Sequence, residues 1–227
     1  MKELIVHNYP KSSVTEAIKA VRTNLRFSSI NENIKTILIT SSVAGEGKSF
    51  TSANLATTFA TSTEKVLLID CDLRRGRQKE LFGLHGTAKT GLSNLLIDKE
   101  WDKNIKNYIH KTEVPNLYVI PTGSTPPNPG VLLESEKIEK VVEKLKEKFD
   151  IIIFDAPPVT GLTDALVMTR LADIVLIVAR AKKTTLELLE NTKEALENVN
   201  ANIAGVILNR VDKKDNRYYK NYYYYQS

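Results

Sequence analysis

The stretch TILITSSVAGEGKSFTSAN, residues 36–54, reads as a strand, a glycine-containing loop and the start of a helix. Its first five residues are a short apolar run rich in β-branched side chains, the pattern of a buried strand. Gly45 and Gly47 carry no side chain, so the backbone can wrap close to phosphate oxygens and aim several N–H groups at them. Lys48 adds a mobile point charge for the outer phosphates, and Ser49 places a hydroxyl where Mg²⁺ can be held. The helix that begins there offers its positive end to an anion. Against the phosphate-loop pattern G-x-x-x-x-G-K-[ST], Ser42 replaces the first glycine, but the strand before and the helix after supply the required context. Glu46 would repel phosphate if it faced inward, so it is expected to point outward.

Working outward, apolar runs alternate with helical segments, which predicts an α/β fold with a mostly parallel sheet and helices on both faces. The predicted strands are 36–40, 65–70, 117–120, 151–154, 174–179 and 203–209. Two of them end in acids. VLLIDCDLRR puts Asp70 and Asp72 two residues apart on one side of an extended chain, and IIIFDAPP ends with Asp155. Acids at the carboxyl ends of parallel strands face the ligand crevice of such a sheet, and three beside a phosphate loop suit a Mg²⁺ that keeps several waters. An early helix is expected to open at Ser13 with Glu16 three residues on as a capping box. Val14, Ala17, Ile18, Val21 and Leu25 form its apolar stripe, with Lys19, Arg22 and Arg26 opposite. Two long connections, 71–91 and 121–130, are expected to border the working site.

The 227 residues, 42% apolar and 26% charged, fit one soluble domain over 1–211. The longest strand-type apolar run, 174–179, is far short of the roughly 20 residues of a bilayer span, and the N-terminus has no signal-like core. A cytoplasmic protein is expected. One cysteine, Cys71, excludes an intrachain disulfide and multi-cysteine metal sites, and His7, His85 and His110 have no ligand spacing. The net charge of +5 is dispersed among alternating lysines and glutamates, so no nucleic-acid partner is expected. Beyond Val211 the apolar pattern stops, and 212–227 reads as a flexible tail. It carries Tyr218, Tyr219, Tyr222, Tyr223, Tyr224 and Tyr225, six of the chain's nine tyrosines. Fourteen residues from Val211 to Tyr225 reach at most about 46 to 50 Å.

Taken together, GEGKS (45–49), DCDLR (70–74), PPNP (126–129), DAPP (155–158), ILN (207–209) and the closing tyrosines resemble the bacterial tyrosine kinases of the capsule and exopolysaccharide type, over essentially the whole chain. The resemblance implies a P-loop NTPase of the deviant-Walker type, on the fold of partitioning and division-site ATPases, using ATP and Mg²⁺. It implies nucleotide contacts from Ala44, Gly45, Glu46, Gly47, Lys48, Ser49, Phe50 and Asn209, and metal binding by Ser49, Asp72 and Asp155. Lys48, Asp70, Asp72 and Asp155 would carry the chemistry, with Asp70 receiving or orienting the tyrosine hydroxyl. The tail tyrosines would be the acceptors, served between subunits of a ring. Relatives carry Glu-x-x-Arg-x-x-Arg on the first helix for ring assembly, whereas Glu16, Lys19 and Arg22 stand here, and lysine lacks the planar fork of arginine. The implied partners are the cytoplasmic end of a membrane activator that controls polysaccharide chain length, a cognate tyrosine phosphatase and other protein substrates. The activator would recruit the kinase to the inner face of the membrane. A regulatory switch ATPase without tyrosine transfer is the alternative. A GTP switch is disfavoured because Arg210 stands at the lysine of the guanine-reading N-K-x-D pattern.

Overall fold

The computed structural model describes residues 3–28, 34–86 and 88–212. The tail tyrosines lie outside the described residues. The chain begins with α1 (Ile5–Asn8) and α2 (Ser13–Ser28), then β1 (Thr36–Ser41), α3 (Lys48–Ala60), β2 (Val66–Asp70), α4 (Gln78–Leu81), α5 (Leu92–Ile97) and α6 (Trp101–Asn104). It continues through β3 (His110–Lys111), β4 (Leu117–Ile120), α7 (Pro129–Glu134), α8 (Glu136–Lys146), β5 (Ile151–Asp155), α9 (Asp164–Met168), β6 (Ile174–Arg180), α10 (Leu186–Glu197) and β7 (Ile203–Asn209).

The seven strands form one sheet in the order β3-β4-β2-β5-β1-β6-β7. Every pairing is parallel except β3 with β4. The central strands are buried on both faces, and their alternate residues feed two separate cores. Ile37, Ile39, Leu68 and Ile153 join the core beneath α1, α2 and α3, while Leu38, Leu67, Ile69 and Ile152 join the one beneath α5, α8 and α9. Strands β2 and β5 end at one level, since Asp70 is in register with Asp155, while β1 runs two residues past Ile39, the partner of Asp155. This stacks the two acids side by side at the sheet's carboxyl edge.

Several expectations change. The short α1 and the two-residue β3 went unpredicted because neither has enough residues to show a period. The helix cap of α2 is Ser12, whose Oγ accepts from Thr15 N at 3.1 Å, while Glu16 pairs with Lys19 at 2.8 Å. The buried stripe of α2 is Thr15, Ile18 and Leu25 with Val21 half-buried; Val14 and Ala17 face solvent. Arg22 turns toward the body, donating from Nη1 to Thr58 O at 3.5 Å. The 71–91 connection contains α4, and the 121–130 connection runs into α7 at Pro129.

Candidate active site

The phosphate loop gets its shape from two left-handed glycines, Gly45 at φ +84° and Gly47 at φ +100°. Gly47 is doubly constrained, because a Cβ there would fall 2.0 Å from Asn209 Nδ2. That side chain donates to Glu46 O at 2.9 Å, and its Oδ1 accepts from Arg210 N at 2.8 Å. Asn209 therefore holds the loop from the end of β7 while also lining the cleft above it.

Glu46 does not point outward. It is fully buried behind the loop, where its carboxylate accepts from Val43 N at 3.0 Å and from the Thr184 hydroxyl. Thr184 Oγ1 in turn accepts from Arg180 N at 2.8 Å. The expectation failed because it allowed only two directions, toward phosphate or toward water. The third is into the protein, where hydroxyl and N–H donors satisfy the charge.

Lys48 opens α3 and lines a cleft of about 970 Å³ together with Ala44, Gly45, Gly47, Ser49, Phe50 and Asp72. Its Nζ donates to Asp72 Oδ2 at 2.9 Å, a pair only 10% and 6% exposed at the side chains. Burial alone would lower the Lys48 pKa, but the charges of Asp155 and Asp72, the Asp72 hydrogen bond and the Asp70 charge outweigh it, and the net shift is upward. Lys48 is thus a firmly charged ammonium at neutral pH.

Asp70 and Asp155 are buried and do not line the cleft. Asp155 accepts from Ser52 Oγ at 3.2 Å and from Gln78 Nε2 at 2.7 Å. Asp70 accepts from Gln78 N at 2.9 Å and Asp72 N at 3.3 Å. Burial, and then the charge of Asp155, push the Asp70 carboxyl well above the ordinary carboxylate range, against the Gln78 hydrogen bond and Lys48. Gly76 lies over it, since a Cβ there would come 2.6 Å from Asp70 Oδ2. Cys71 is buried with its thiol pKa also pushed up, first by burial and then by Asp70, so it offers no thiolate.

No group of three His, Cys, Asp or Glu side chains among the described residues forms a metal cage. The donor set nevertheless fits Mg²⁺, which takes one or two protein ligands and fills its octahedron with water and phosphate oxygens. Ser49 supplies a hydroxyl that bonds no other described side chain, and Asp72 supplies a carboxylate in the same cleft. On the rim, Arg74 is tied through Nε to the buried Asp164 at 3.1 Å, and Arg77 reaches Glu3 at 3.4 Å. Arg75 binds the Asp72 carboxylate only through its backbone N–H, at 2.9 Å, which leaves its guanidinium for the cleft.

The structure therefore gathers Ala44 to Phe50, Asp70, Asp72, Asp155 and Asn209 at one end of the sheet. Glu16, Lys19 and Arg22 lie elsewhere, on α2. Sequence reasoning missed Gln78, Ser52, Thr184 and Asp164. Ser52 had a signal, since it stands one turn after Lys48 on the same face of α3. Gln78 had none, because a glutamine in RRGRQKE reads as solvated.

A family model described as an AAA domain matches residues 34–207. Tyrosine-protein kinase YwqD of Bacillus subtilis is 35% identical over 208 residues, 92% of this chain and 86% of that protein. The kinase domain of the Escherichia coli tyrosine kinase ETK superposes with a TM-score of 0.87 at 33% identity, covering 94% of this chain and 82% of that one. The cell division ATPase MinD of Pyrococcus furiosus shares the fold at lower similarity, with a TM-score of 0.67, 26% identity, and 80% and 74% coverage. With a phosphate loop beside strand-end acids, and with tyrosine kinases matching it over nine-tenths of its length, this chain belongs to the bacterial tyrosine-protein kinases of the P-loop fold.

Proposed function

We propose that this kinase transfers the γ-phosphoryl group of ATP to its own tail tyrosines, Tyr218, Tyr219, Tyr222, Tyr223, Tyr224 and Tyr225, between subunits of a ring. In this reading the reaction regulates the synthesis or export of a capsular or extracellular polysaccharide. The observation that carries it is the buried Lys48–Asp72 pair at 2.9 Å, set at the mouth of α3 beside two further strand-end acids. A phosphoryl donor that arrives there meets a charged ammonium and the backbone N–H groups of the loop.

Bound Mg²⁺ would neutralise charge developing on the phosphates. Ser49 and Asp72 are placed to hold it, with Asp155 assisting through water. Lys48 turns from Asp72 to the outer phosphates, and the Arg75 guanidinium adds charge from the rim. Phosphoryl transfer has a loose transition state, so positioning and charge stabilisation carry most of the rate and the phenol proton can leave late. Asp70 orients the tyrosine hydroxyl, or receives its proton when its own carboxyl, held up by burial, is ionised, reached through a water or by a shift of the Gly76 segment that covers it. Glu16 and Lys19 form the assembly surface, with Arg22, turned toward Thr58, joining it by swinging outward. The activator is the cytoplasmic end of a membrane protein that brings the kinase to the inner face of the membrane; no described helix of this chain is long and apolar enough to cross one. A cognate phosphatase and other protein substrates complete the cycle.

Labelled γ-phosphate ATP tests this with the wild-type chain, Lys48→Met and a chain ending at Lys214. Label on tyrosine that falls at least about 100-fold in Lys48→Met, the scale of losing one charge-stabilising group, and disappears in the truncation is the expected result. ATP turnover with an unlabelled tail would instead identify a switch ATPase.

A further inference from the structure

We propose that Gln78 is a positioning residue of the phosphoryl-transfer site, clamping Asp155 to the phosphate loop through its carboxamide nitrogen. This rests on the metal-nucleotide reading above, and it concerns a residue outside the phosphate loop and the strand-end acids.

Gln78 is completely buried at the first position of α4. Its Nε2 donates to Asp155 Oδ2 at 2.7 Å and to Ser49 O at 3.1 Å, and its main-chain N–H donates to Asp70 Oδ2 at 2.9 Å. One residue thus joins the ends of β2 and β5 to the start of α3. The orientation of the carboxamide follows from its neighbours. A carboxylate oxygen and a backbone carbonyl both accept, so the nitrogen must face them. Oε1 is then forced to the other side, where it is buried without a hydrogen-bond partner among the described residues.

A buried acceptor without a donor calls for an explanation, because such groups are nearly always paired. No described side chain donates to it. Water is a donor of the right size for it in a polar site, while the clamp itself runs through Nε2, which fixes the carboxylate proposed to assist the metal. Outer-shell groups of this kind orient the inner ligands, and their loss costs about 10- to 100-fold in metal affinity or activity. The competing role for Gln78 is structural, as a tether for the 71–77 loop. A tether predicts lost stability without a change in metal dependence.

The test uses the full chain and a fluorescent ADP, with MgCl₂ as the titrant. Gln78→Met keeps the volume and removes both hydrogen-bonding ends; Gln78→Asn keeps the polarity but is one methylene too short for both acceptors, and serves if the methionine variant does not fold. The expected result is a half-saturating Mg²⁺ concentration raised about 10-fold or more, with ADP affinity in EDTA unchanged. In an Asp155→Asn background the same replacement should add little, because Gln78 acts through Asp155. An unchanged Mg²⁺ requirement in a folded variant, or a full additive effect in the Asp155→Asn background, overturns the proposal. The readout is separate from phosphate transfer. Mg²⁺ dependence that follows Gln78 with no label on tyrosine would leave this inference standing and remove the kinase mechanism proposed above.

Discussion

Helices α2 and α3 pack against each other yet obey different rules. The surface helix α2 anchors on Ile18 and Leu25 and leaves Val14 and Phe27 in solvent, 42% and 68% exposed. The helix α3 is buried almost all round, although half its residues are serine, threonine, asparagine or lysine. Four of its five hydroxyls offset their desolvation by bonding back one turn: Thr51 to Gly47 O at 3.0 Å, and Ser52, Thr57 and Thr58 to Lys48, Ala53 and Asn54 carbonyls at 2.8 Å each. A helix that must present its N-terminus to phosphates sits in the middle of the fold. There it has no solvent face and so no amphipathic period. Its polar residues are packing elements, and replacing them should cost more than replacing the charges of α2.

The largest stability effect is expected at Asn54. Its Oδ1 accepts from Val6 N at 3.0 Å, and its Nδ2 donates to Glu3 O and Phe50 O at 2.9 Å each, so one carboxamide clips α1 onto α3. Asn54→Ala leaves the buried Val6 N–H without its acceptor and a void beside it. A loss of about 3 kcal/mol in urea unfolding is expected, at the upper end for an orphaned buried group. A loss below about 0.5 kcal/mol would mean that the buried polar side chains of α3 are as dispensable as surface ones.

Asp70 gives the next effect, visible as a pH dependence. Its folded pKa is raised, mainly by burial and then by Asp155, so the folded protein keeps a proton that the unfolded chain releases near pH 4. Stability therefore falls as pH rises from about 4 toward the folded pKa, the opposite sign to an ion-paired carboxylate. Asp70→Asn has no such proton to lose. Relative to the wild type, its Tm should improve between pH 4 and pH 8 while tyrosine phosphorylation drops. An equal Tm difference at both pH values would show that the Asp70 carboxyl is not held up in the folded state.

The comparison also explains what the sequence could tell. The parallel sheet was legible because strands such as IIIF and IVLIVA are buried on both faces and read as continuous apolar runs. The glycine loop was legible because only glycine suits the left-handed backbone at 45 and 47, and the acids because carboxylates at strand ends have no packing use. What stayed hidden depends on distant partners. Glu46 meets Thr184, 138 residues on, and Gln78 meets Asp155, 77 residues on; neither contact leaves a local period. The stripe on α2 was legible at Ile18, Val21 and Leu25 but not at Val14 and Ala17, which suit the helical pattern yet face solvent, while Thr15 packs, its hydroxyl bonded to Tyr9 O at 2.7 Å.

The smallest stability effect is expected on the outer side of α2, where it separates folding from assembly. Glu16 and Lys19 form an exposed pair at 2.8 Å, with side chains 59% and 48% accessible. Such pairs contribute little, so Lys19→Glu should change unfolding free energy by no more than about 0.5 kcal/mol. If this face joins subunits, the reversed charge meets its own partner across every interface, and like-charge contacts there cost far more than the intrahelical pair gains. Sedimentation should then show smaller species than the wild type gives, while the melting curve of the monomer stays in place. A variant that sediments as the wild type moves the assembly surface off α2, and the exposed Val14 and Phe27 with it. A variant that melts early instead would place Lys19 in the folding of α2, against the exposure it shows.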